Sequence, residues 1–153
     1  MEEAELVKKY SEHIGAFWLN FSSLELILRV VLHKRSGGDT AESKLFPKVK
    51  EGDTLPATIM TNYDTFSQIC NKFNATLKRN EKVDFSKIEM FRDALAHGRT
   101  TGDGTGSLST IKYSKVSKGR VTVVFMKIHT LSEIDALVAE MCSLLHNIAA
   151  KHL

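Results

Sequence analysis

Leu6, Tyr10, Ile14, Phe17, Phe21, Leu24, Leu28 and Val31 follow one another at intervals of 4, 4, 3, 4, 3, 4 and 3 residues. That rhythm keeps one apolar seam on an α-helix and is incompatible with a strand, whose faces alternate every second residue. The seam predicts a first helix of about thirty residues, close to twice the length of an ordinary globular helix. Its second half is also apolar off the seam, at Trp18, Leu19, Leu26, Ile27, Val30 and Leu32. A helix apolar nearly all round is buried on more than one side. Glu25 lies within this stretch, where an unpaired carboxylate is costly, and so is expected to meet a cation or a helix-end donor.

The rest of the chain is read around that helix. Its 153 residues suit a single domain, residues 1–153, with one core. SGGDT at Ser36 to Thr40 breaks the helix, and a loop is expected to run to Asp53. Leu55 to Leu77 carries Ile59, Tyr63, Phe66, Ile69, Cys70, Phe73 and Leu77 at helical spacing, which predicts helix two. Asp84 is the expected N-cap of helix three, with Phe85, Ile88, Phe91 and Leu95 as its core stripe. Gly98 stands where a left-handed residue commonly ends a helix. The run GDGTG lacks the Lys and the preceding strand of a phosphate-binding loop and reads as a flexible connection. STIKYSKV and RVTVVFMKI flank SKG as a β-hairpin over residues 107–128. Thr130 and Glu133 match a capping box that opens helix four, whose core stripe runs from Leu131 to Ile148. The expected architecture is mainly α: a four-helix bundle with a β-hairpin inserted between helices three and four.

Charge narrows the class of partner. The chain carries a net charge of +3. Ser107 to Ile128 holds Lys112, Lys115, Lys118, Arg120 and Lys127 and no acid, so this segment is strongly basic and the remainder slightly acidic. Such a patch suits RNA or another polyanion, or is a solvated hairpin. No continuous run reaches the roughly 18 apolar residues of a membrane span, and the acidic start MEEAELVKKY is unlike a secretory signal. A cytoplasmic setting without membrane contact is expected, with Cys70 and Cys142 as reduced thiols. The six histidines form no metal-binding spacing, no serine-nucleophile motif is present, and no cofactor or metal is called for.

The stretch FRDALAHGR, Phe91 to Arg99, carries the chemistry. At 100° per residue, Asp93 and His97 lie about 80° and about 120° round from Phe85, away from the core stripe. Met90 and Ala94 share that side, and Ala94, Ala96 and Gly98 are small, so another backbone can come close. Asp93 and His97 are four apart and able to meet, and a paired imidazole at a helix C-terminus serves as an acid or base. Arg92 offers a planar fork suited to a phosphate, and Arg99 adds a second cation. These are the parts of a phosphodiester site; a plain helix cap uses the same His.

Arg92-Asp93-Ala94-Leu95-Ala96-His97 resembles the motif of the HEPN superfamily, an Arg, a polar residue, three more residues and a His. The order of elements, with a long first helix bearing an internal acid and the motif on helix three, is similar to that family as well. The resemblance implies a HEPN-type helical bundle and a metal-independent endoribonuclease. It implies a homodimer in which two motif helices face each other, through helices one and three. It assigns catalysis to Arg92, Asp93 and His97, with Asp93 standing where Asn is more usual. Arg99, Lys112, Lys115, Lys118 and Arg120 are the expected RNA-binding residues. A toxin or defence role with an antitoxin-type protein partner is one implied setting. The alternative is a non-catalytic module of the same fold that binds a nucleotide, RNA or a protein partner.

Overall fold

In the computed structural model, α1 runs over Glu3–Arg35, α2 over Phe66–Ala75, α3 over Ser86–His97 and α4 over Leu131–His152. Three strands, β1 (Arg99–Gly102), β2 (Ser107–Tyr113) and β3 (Val123–Thr130), form one antiparallel sheet in the order β1-β2-β3. The fold is thus mainly α with a small sheet. The structure describes residues 3–41, 50–102, 104 and 106–153. Residues 42–49 of the expected loop, and residues 103 and 105 of the Gly-rich run, lie outside the described residues. The chain divides into two compact units, Met1–Phe21 with Phe85–Cys142, and Ser22–Asp84 with Ser143–Leu153.

The first unit contains α3 and the sheet. Its core takes Leu6, Tyr10, Phe17 and Phe21 from α1, and Ile88, Phe91 and Ala94 from α3. Leu108 and Thr110 from β2, His129 from β3, and Ile134 and Met141 from α4 complete it. The rings of Phe17 and Phe91 meet edge to face with centroids 4.7 Å apart, a geometry that adds to simple burial. Tyr10 Oη donates to the carbonyl of Ser107 at 2.8 Å, and His13 Nδ1 meets Asp135 Oδ1 at 2.5 Å. Leu108, Thr110 and Lys112 alternate onto one face of β2, and the first two of these are buried.

The second unit is organised by Arg29. Its guanidinium donates to Glu25 Oε1 at 3.0 and 2.9 Å, so the acid within the apolar helix has its cation one turn on. It also donates to the carbonyls of Ile59 (2.6 Å) and Asp64 (2.9 Å) and to Asn62 Oδ1 (2.9 Å). This explains why helix two is shorter than its spacing suggests. Leu55 to Asp64 is not helical, and Arg29 supplies donors for two carbonyls that a helix would have paired internally. Tyr63, in register with the apolar stripe, is 102% exposed. α2 starts where Thr65 and Gln68 close a capping box. Cys70 is buried, and both cysteines are reduced.

Three further expectations are corrected. α3 starts at Ser86 with Phe85, not Asp84, in the cap position. No strand is expected ahead of the hairpin, yet Arg99–Gly102 is the strand β1, paired with Ile111 to Leu108, and takes in the first residue of the GDGTG connection. Gly98 has φ −92 and ψ −179, extended rather than left-handed. The residue is small for lack of room: a Cβ there would meet the Ala94 carbonyl oxygen at 2.3 Å and the Ile111 carbonyl oxygen at 2.9 Å.

α1 also departs from a simple count of apolar residues. Within Ala4–Arg35 an 18-residue stretch reaches a mean hydropathy of 1.4, and by length and composition alone the helix is able to cross a membrane. Leu24, Leu28 and Val31 from this stretch are completely buried, and a third of the apolar stretch (33%) is buried in all.

Candidate functional site

Arg92, Asp93 and His97 all project from α3, whose inner stripe, Ile88 and Phe91, anchors it in the core. The far side of α3 is indeed approached, and by the chain's own sheet. α3 lies against β1 and β2, and Ala94 is 1% exposed. The small residues Ala94 and Gly98 make room for this packing.

Asp93 is the hub. Arg92 Nη1 donates to its Oδ1 at 3.1 Å, and Lys112 Nζ from β2 donates to its Oδ2 at 3.1 Å. Both carboxylate oxygens therefore face a cation, and the expected Asp93–His97 pair does not form. Partial burial works against ionising Asp93, but the hydrogen bonds and charges of Lys112 and Arg92 outweigh it and hold the carboxyl below the usual range. The Arg92 guanidinium also lies over the Phe21 ring, 5.8 Å from its centroid. Its Nε is buried and has no hydrogen-bond partner among the described residues.

His97, in the last turn of α3, is exposed. Its ring makes no hydrogen bond or ion pair with a described residue. Arg99 opens β1 and sits 5.4 Å from the centroid of Tyr113, a cation–π contact across the sheet. Lys115, Lys118 and Arg120 lie exposed at the far end of the hairpin. Ser117 and Arg120 exchange two backbone hydrogen bonds around Lys118 (φ 50) and Gly119 (φ 72). Positive φ at both central residues matches the twist of the flanking strands. The structure thus brings Lys112 to Arg92 and Asp93, and keeps Lys115, Lys118 and Arg120 apart from them as a separate basic tip. Lys112 was legible as a member of the inner face from the alternation Leu108, Thr110, Lys112, though not as the partner of Asp93.

Two hollows open beside α3. One, of about 180 Å³, is lined by Met90, Asp93, Ala94, Lys112, Val124 and Phe125. The other, of about 260 Å³, shares Met90 and Phe125 with it and reaches His129, Glu133 and Leu137. His129 is 7% exposed, edge-on to Phe91 at 4.7 Å. Burial, helped by the charge of Lys127 and opposed by Glu133, lowers its pKa from the ordinary 6.5. No group of three or more His, Cys, Asp or Glu residues able to hold a metal ion occurs among the described residues.

Compared with protein-family models, curated proteins and solved structures, the chain matches none.

Proposed function

We propose that this protein is a metal-independent endoribonuclease with a HEPN-type helical bundle and an inserted hairpin, acting in the cytoplasm as a homodimer through α1 and α3. The observation that carries the reading is His97: an exposed imidazole whose ring is unengaged, on the same helix as Arg92 and within reach of a substrate. In this reading an RNA 2′-hydroxyl attacks the adjacent phosphorus in line. His97 takes the hydroxyl proton as the P–O2′ bond forms. The P–O5′ bond breaks, and the partner subunit's His97, protonated, supplies the proton to the leaving oxygen. Arg92 stabilises the charge that builds on the phosphoryl oxygens. Arg99 and the basic tip, Lys115, Lys118 and Arg120, hold the RNA backbone by a salt-sensitive attraction. A toxin or defence effector, kept in check by an antitoxin-type protein, is the setting in which such a nuclease is useful.

One observation favours a second reading, a module that binds RNA or a nucleotide without cutting it. Asp93 already occupies the two cations that a phosphate needs. The test is purified protein incubated with total RNA in EDTA, beside His97→Ala and Arg92→Ala. Cleavage by the wild type, lost in both variants while the fold is retained, supports the nuclease. RNA left whole by the wild type leaves the binding module.

A further inference from the structure

We infer that Arg92 and Lys112 form one phosphoryl-anion site, and that Asp93 is its built-in competitor. The inference rests on the phosphodiester reading of α3 but assigns new roles to two residues. The two cations come from different elements, α3 and β2, and Lys112 lies nineteen positions beyond Asp93. They converge on a single carboxylate, at 3.1 Å on each side. All three side chains are only partly exposed, so charges there are screened less than on an open surface.

Two oxygens bridging a guanidinium and an ammonium are the arrangement that a phosphate would also adopt. Asp93 holds both cations in that arrangement before any ligand arrives. The hollow lined by Asp93 and Lys112 gives a ligand a way in on the Lys112 side of the carboxylate. Arg92 Nε, a buried donor with no described partner, leaves the guanidinium with hydrogen-bonding capacity that Asp93 does not use. The competition follows from charge. With Asp93 ionised, the three groups sum to a single positive charge, and an incoming anion must displace the carboxylate or share its cations. With a neutral amide in its place, the same geometry presents two.

The site therefore takes a phosphoryl oxygen pair, from an internal phosphodiester of RNA or from a free phosphate monoester. Asp93 sets the threshold of affinity that a ligand must exceed. A phosphodiester held by other contacts along the chain, such as those of the basic tip, exceeds it more readily than a free phosphate does.

The test is calorimetric titration at constant ionic strength with inorganic phosphate, a 5′-mononucleotide, and a single-stranded oligodeoxynucleotide, which lacks the attacking hydroxyl and is not cleaved. Asp93→Asn is expected to tighten anion binding about fivefold, the factor that roughly 1 kcal/mol yields for a partly exposed pair. Lys112→Met is expected to weaken it, and the gain from Asp93→Asn to shrink in the double variant with Lys112→Met. Tightening toward the oligonucleotide alone identifies the internal phosphodiester as the ligand; equal tightening toward phosphate and mononucleotide identifies the monoester. Unchanged or weaker binding in Asp93→Asn overturns the competitor role. Should that variant fail to fold, unchanged binding in Lys112→Met overturns the site. Both readouts are independent of cleavage, so loss of the nuclease reading leaves them intact, and a protein that cuts RNA with unaltered affinities in these variants refutes the inference alone.

Discussion

His129 shows how one residue's position fixes its chemistry. Its ring is buried against Phe91, and its Nε2 has no hydrogen-bond partner among the described residues. Protonating it places a charge in that setting, near Lys127 and with Glu133 as the counter-charge. The unfolded imidazole takes its proton near pH 6.5 and the folded one only at lower pH. Between the two, the unfolded chain holds the extra proton, so stability rises with pH. The stability is complete above 6.5 and is lost as pH falls toward the folded pKa. His152, also lowered by burial and by Arg35, contributes in the same sense, so the wild-type slope is a sum. His129→Phe keeps a ring against Phe91 and removes one titration. The melting temperature of the wild type is expected to fall between pH about 7.5 and about 5, and that of His129→Phe to fall less. Parallel curves would assign the slope elsewhere.

At the scale of elements, the junction of α3 with β1 depends on Gly98. The chain leaves a helix and enters a strand in one residue, while the Ile111 carbonyl of β2 closes on the same point. Backbone oxygen atoms set this limit, and neither can rotate away as a side chain would. Gly98→Ala has no φ penalty and should still lower stability by about 1 to 3 kcal/mol, the range for overpacking a site that cannot relax. Urea unfolding checks this. A midpoint equal to the wild type would mean that α3 and β2 separate easily, and the contact of Lys112 with Asp93 would lose its rigid frame.

At the scale of the whole molecule, the nuclease reading requires a second copy. Leu19 on α1 is 70% exposed, and Ala96 and His97 on α3 are exposed too. These are surfaces that a partner can cover, whereas Ala94 and Gly98 are already spent on the chain's own sheet. Light scattering at tens of micromolar, on the order of the concentration where a moderate interface is populated, is expected to give the mass of a dimer. His97→Cys, one in each copy, should cross-link in that dimer. A monomer at this concentration, or a dimer without cross-linking, removes the two-histidine mechanism and leaves the binding module.

What the sequence determined by itself is what neighbours within one helical turn decide. The seam from Leu6 to Val31 became α1 because spacing alone orients those side chains. The capping box at Thr130 and Glu133 formed, with the Thr130 amide on Glu133 Oε2 at 2.8 Å and the Glu133 amide on Thr130 Oγ1 at 3.1 Å, because its atoms are three residues apart. Ile59 and Tyr63 kept helical spacing and formed no helix, because Arg29, thirty residues before Ile59, took the carbonyls of Ile59 and Asp64. β1 exists because β2 lies beside it. Asp93 was placed to meet His97 by spacing and met Lys112 instead, since the sheet brought an ammonium to a carboxylate that already held Arg92. Tertiary structure decided each of these, because a charge or a backbone donor is satisfied by whatever group the fold brings within hydrogen-bond distance, and spacing along the chain describes only the nearest of them.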